Sequence, residues 1–99
     1  MRLLSLSVVG VLMAGAVSAD DIRRACLKSE RGMGQHVLCR CIQDAADKTL
    51  SNREQSTAAR FFRDPDAAQR VRRSDRRGDE KFWERYERFG QVAARACRR

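Results

Sequence analysis

Gln35–Leu50 reads QHVLCRCIQDAADKTL, and its spacing decides the fold. At 100° per residue, Val37, Leu38, Cys41, Ile42, Ala45, Ala46 and Leu50 fill one broad helical face. Cys41 lies at one edge of that face and Cys39 at the other, so the two thiols diverge. A helix with a thiol on each edge can be tied to a neighbour on each side. This segment is predicted to be the central strut of the fold.

Toward the N-terminus, Gly32-Met33-Gly34 is a breaker and predicts the turn of a helical hairpin. Asp20-Asp21 then start a first helix running to about Glu30, with Ile22 and Cys26 facing inward and Ala25 and Leu27 beside them. Toward the C-terminus, Ser51-Asn52-Arg53-Glu54 matches a capping box, Ser-x-x-Glu. It predicts a helix that carries Ala58, Phe61 and Phe62 on one side and stops near Arg63. Asp64-Pro65 restarts the chain, with Asp64 as N-cap and Pro65 at the first helical position, where its missing N–H costs nothing. That short helix carries Ala67, Ala68 and Val71. A break at Ser74 or Gly78 precedes a last helix from Asp79 to about Cys97. In it Phe82, Tyr86, Phe89, Ala93, Ala96 and Cys97 recur at steps of three and four. No strand-like alternation appears, so the expected fold class is all-α, with four to five short helices.

The first residues predict where the chain works. Met1-Arg2 is a short basic start, Leu3–Val17 is apolar, and Val17-Ser18-Ala19 places small residues at a signal-peptidase site. Residues 1–19 are therefore read as a signal peptide cleaved near Ala19, and residues 20–99 as a single α-helical domain in the periplasm or outside the cell. No second apolar span follows, so no transmembrane segment is expected after cleavage. Removing 19 of 99 residues leaves 80, a length that buries a limited core and usually needs staples.

Export makes disulfides the expected state of Cys26, Cys39, Cys41 and Cys97. A Cys39–Cys41 bond would need a strained loop within a helix. Two pairings remain: Cys26–Cys39 with Cys41–Cys97, or Cys26–Cys41 with Cys39–Cys97. Either one staples the central helix to the first helix and to the last. The competing readings are a thiol–disulfide redox pair at Cys39-x-Cys41, or a metal site built from His36, Cys39 and Cys41. The spacing matches no standard zinc pattern and His36 is the only histidine, so no metal or other cofactor is expected.

Charge is the other strong signal. The chain has 21 Lys and Arg against 13 Asp and Glu, a net charge of +8, and cleavage after Ala19 would remove only Arg2. Arg70, Arg72, Arg73, Arg76 and Arg77 crowd one short stretch. On a continuous helix Arg72/Arg76 and Arg73/Arg77 would be like-charge pairs at i,i+4, which destabilise it. A solvated face is the plain reading. The sharper one is a surface for an anionic envelope component or protein partner. Nucleic acid is excluded as a partner by export. Phe82, Tyr86 and Phe89 are read as core, whereas Trp83 sits at the edge of their stripe. Trp83 with Arg85 is the candidate ligand contact. No nucleophile–base–orienter set and no phosphate-binding glycine loop is visible, so the chain is read as a non-enzyme.

Several segments carry a family likeness. These are Cys39-Arg40-Cys41-Ile42-Gln43, Thr49-Leu50-Ser51, Ala59-Arg60-Phe61-Phe62-Arg63-Asp64-Pro65, Ala68-Gln69, Arg73-Ser74, and Phe82-Trp83-Glu84-Arg85-Tyr86 through Phe89 to Cys97. Together they resemble a family of small exported proteins of alphaproteobacteria, some of whose members are labelled "arginine transporter". The resemblance implies a solute-binding or accessory role in transport of arginine or another cationic amino acid. An exported chain of this size would capture solute rather than form a transmembrane path.

Overall fold

The computed structural model describes residues 20–97, so the predicted signal peptide lies outside the described residues. Five helices follow in order: α1 Asp21–Lys28, α2 His36–Thr49, α3 Asn52–Phe61, α4 Pro65–Arg73 and α5 Arg77–Ala96. The fold class is all-α, as the periodicity predicts. The helices close a ring, in which α1 packs on α2 and α3, α4 packs on α3 and α5, and α5 returns to α2. Among the described residues no helix is long and apolar enough to cross a membrane.

Local chemistry sets the boundaries. The capping box is made in full: the Ser51 hydroxyl accepts from the Glu54 N–H, and the Glu54 carboxylate accepts from the Ser51 N–H at 2.8 Å. Asp64 caps α4 through the Ala67 N–H, and Pro65 occupies its first position. One boundary differs from expectation. Ser74 ends α4, but α5 begins at Arg77, so Gly78 lies within a helix.

Between α1 and α2 the Ser29 hydroxyl organises the turn, donating to the Cys26 carbonyl at 2.6 Å and accepting from the Gly32 N–H at 3.1 Å. Gly32 is buried there, and a Cβ on it would overlap the Cys26 carbonyl, so only glycine fits. Gly34 follows at φ +76°, a conformation glycine adopts freely.

Both disulfides form, and the pairing is Cys26–Cys39 and Cys41–Cys97. The first ties α1 to α2, and the second ties α2 to the residue just past α5. The strut reading of α2 therefore holds. The two bonds differ in setting. Cys26 and Cys39 are 2% and 0% exposed, whereas Cys41 and Cys97 are half-buried.

The core joins Ile22 of α1, Ala45 and Ala46 of α2, Leu50, Ala58 of α3 and Phe89 of α5. Phe61 adds an aromatic link, meeting Phe82 and Tyr86 edge-on with ring centroids at 5.9 and 5.2 Å. Val37, placed on the buried face by its spacing, is 86% exposed. The buried face of α2 is turned toward Cys39 and Gln43, because the bond to Cys26 draws that edge against α1. Ala96, placed on the inward stripe of α5, is exposed near the helix end.

Gln43 and Gln55 are buried at 3% exposure and form a polar layer that apolar periodicity does not reveal. Gln43 donates to Gln55 at 2.8 Å and to Asp47 at 2.9 Å, and it accepts the Arg23 N–H at 2.8 Å. Gln55 in turn donates to Asp47 and to the Leu50 carbonyl. Arg23 lies in the first turn of α1, whose N-terminal N–H groups lack partners within the helix, and Asp20 supplies no side-chain cap. A glutamine from α2 fills that role across 20 residues of sequence.

Candidate functional site: an arginine junction and a basic groove

The arginine-rich stretch does not form one helix. The break at residues 74–76 divides it, leaving Arg70, Arg72 and Arg73 at the end of α4 and Arg76 and Arg77 at the start of α5. The expected i,i+4 repulsion of Arg72/Arg76 and Arg73/Arg77 is relieved by that break, and the charges spread around a junction. All five side chains are exposed. Arg70 reaches Asp64 at 3.4 Å. Arg72 donates to the Gln69 side chain and Arg73 to the Gln69 carbonyl, neither of which is an acid. Among the described residues, Arg70 alone of the five is ion-paired. Asp75 is exposed between them, and Asp79 accepts from the Ser74 hydroxyl at 2.6 Å.

Helix electrostatics accounts for only part of this cluster. Arg70, Arg72 and Arg73 sit in the last turn of α4, where cations complement the helix dipole. Arg76 is the N-cap of α5 and Arg77 its first residue, where the dipole disfavours cations and Asp79 and Glu80 already supply negative charge. The α4 helix that carries three of the arginines has no buried residue. It is a solvent-facing element held by half-buried Ala67, Ala68 and Val71.

The structure does not bring Trp83 and Arg85, the candidate ligand contact, together. Residues two positions apart on a helix are separated by about 200°, so the side chains diverge. Trp83 is half-buried, its ring tilted on Tyr86 at 5.1 Å. Arg85 crosses to α3 and binds the Glu54 carboxylate at 2.7 Å. Partial burial pushes the Glu54 carboxyl up, but the Ser51 N–H and the Arg85 guanidinium outweigh it and hold the group below its ordinary value. Burial alone raises the Tyr86 phenol.

Cys39 and Cys41 each bond a different element and not each other, and all four cysteines are paired. Among the described residues no group of three or more His, Cys, Asp or Glu side chains is placed to hold a metal ion.

The concave surface lies elsewhere. Two adjoining cavities, about 350 and about 600 Å³, run along α1 toward α3 and the start of α4. Ala25, Lys28 and Arg63 line both. The first also has Asp21, Arg24 and Arg60 in its wall, and the second has Arg31, Phe62 and Pro65. Charge counting along the sequence did not single out this groove, because its cations come from three separated segments. Comparison with models of protein families, with curated proteins and with solved structures finds no match for this chain.

Proposed function

We propose that this chain is a small exported, non-enzymatic interaction protein that meets an anionic envelope component, or an acidic protein partner, through the α4–α5 junction. One observation carries the reading. Arg76 and Arg77 stand at a helix start whose dipole disfavours them, exposed and, among the described residues, without an ion-pair partner. The helix dipole gives those two charges no stabilisation, whereas an anionic surface would. With Arg72 and Arg73 on the other side of the break, four exposed cations flank it. Two disulfides are the staples that suit a small chain in an oxidising compartment. The export signal and the cleavage near Ala19 belong to this proposal.

The test is binding to lipopolysaccharide and to vesicles of phosphatidylglycerol, with phosphatidylcholine vesicles as the neutral control. The reading predicts binding to the anionic surfaces only, weakening as salt rises. Equal binding to neutral vesicles, or insensitivity to salt, would contradict it.

A further inference from the structure

We propose that the groove between α1 and α3 is a separate site for an amphiphilic organic anion, an acidic head group on a short apolar chain. Three features of the groove point to that chemistry.

The first is charge. Lys28, Arg31, Arg60 and Arg63 line the groove, all exposed and, among the described residues, none ion-paired. Two acids are present. Asp21 is already occupied, accepting from Arg24 at 2.9 Å and from the Ser56 hydroxyl at 3.0 Å. Glu30, exposed, lines the second cavity, and the four cations leave a positive balance. Lys28 and Arg60 are in the last turns of their helices, where the dipole favours a cation. Arg31 and Arg63 lie past the helix ends and beyond that explanation.

The second is position. Lys28 and Arg63 line both cavities, so an anion between them would sit where the two meet. The third is the apolar wall beyond that point. Ala25 and Phe62 are half-buried beside exposed Pro65, an apolar surface framed by cations. The volumes fall within the range of about 300–1,000 Å³ that accommodates small organic ligands. A chain against Phe62 and a head on Lys28 and Arg63 would satisfy both parts, whereas a small inorganic anion would leave the apolar wall uncovered.

The experiment is a titration of the isotope-labelled, disulfide-bonded protein with decanoate below its micelle concentration, read by amide chemical shifts. Acetate serves as the head alone, and decyltrimethylammonium as the chain with the opposite charge. The expected result is saturable shifts centred on Ala25, Ala59 and Phe62, with both controls much weaker. K28Q with R63Q, both exposed positions, should weaken decanoate by about tenfold or more. A variant lacking Arg72, Arg73, Arg76 and Arg77 should bind it unchanged, which separates this site from the junction. Circular dichroism establishes that both variants are folded. Groove shifts with phosphatidylglycerol vesicles as well as decanoate would make a lipid the source of the ligand, and shifts with decanoate alone would make it a free amphiphile. Shifts centred on Arg70–Arg77, equal binding of decyltrimethylammonium, or no loss in K28Q/R63Q would overturn the proposal.

Discussion

Glu54 and Arg85, 31 residues apart, meet at 2.7 Å, and the same carboxylate also closes the capping box of α3. One Glu54 oxygen accepts from Ser51 and the other from Arg85, so the start of α3 is fixed against the middle of α5. Helix initiation and tertiary packing share one side chain. Glu54 is 15% exposed and Arg85 55% exposed, so the carboxylate is partly withdrawn from solvent while its cation is not.

That arrangement predicts a pH dependence. The Glu54 carboxyl is held below its ordinary value, so the folded state binds its proton less tightly than the unfolded chain does. Its contribution is fully present above the unfolded value of about 4.3 and is lost as pH falls through the folded value. Thermal melts should show wild-type stability falling more steeply than that of E54Q in this acid window. Parallel acid limbs would contradict the coupling. S51A, which removes the reciprocal cap, should cost about 1 kcal/mol.

Alanine at Gly32 and alanine at Gly90 should shift stability in opposite directions. A Cβ at Gly32 would overlap the Cys26 carbonyl and come within 2.9 Å of the Cys26 sulfur, so G32A must displace the hairpin turn and destabilise the protein. Gly90 lies within α5 with open space around it, so G90A should stabilise by about 0.8–1.0 kcal/mol. Denaturant unfolding of the two variants measures both signs.

The glutamine layer predicts a loss larger than any exposed contact would give. In Q43A the Arg23 N–H, Gln55 and Asp47 lose the partner that now joins them. Asp47 is exposed and keeps its bond from Gln55, but the Gln55 side-chain oxygen is buried and the Arg23 N–H partly so. Leaving such groups unsatisfied costs about 1–3 kcal/mol each, so a total of about 3 kcal/mol is expected. A change within about 0.5 kcal/mol, as for an ordinary surface substitution, would refute the role assigned to Gln43.

The two disulfides should open in order. Cys41–Cys97 is half-buried at the end of α5, and Cys26–Cys39 is sealed inside the hairpin. Limited dithiothreitol followed by alkylation and mass spectrometry should label Cys41 and Cys97 first. The closed segments span 13 and 56 residues, so loop entropy assigns about 3 kcal/mol to the inner bond and about 4 to the outer. Labelling of Cys26 and Cys39 first would contradict the burial difference.

Much of this architecture is legible locally. The Ser51–Glu54 box, the Asp64-Pro65 restart and the Gly32–Gly34 turn rest on neighbours in sequence, and the structure makes all three. The divergence of Cys39 and Cys41 follows from helical geometry and holds, but the choice between two pairings required the packing of α1 on α2. What was misread depends on distant partners. Val37 faces solvent because the bond from Cys39 to α1 turns the helix. Gln43 sits on the wheel beside Cys39 and Leu50, where an apolar pattern has no place for it. The partner of Arg85, Glu54, lies 31 residues away, and nothing near Arg85 in sequence indicates it. The groove cations come from α1, the turn after it and the end of α3, and no local charge run marks them.

Vesicle binding at rising salt reads out whether the α4–α5 arginines meet an anionic surface. Wild type and a variant with Arg72, Arg73, Arg76 and Arg77 changed to serine would be titrated onto phosphatidylglycerol vesicles at rising ionic strength. Wild-type binding should weaken steadily with salt, and the variant, folded by circular dichroism, should lose most of both the affinity and the salt dependence. A variant that binds as wild type does, with the same salt dependence, would contradict that role of the arginines.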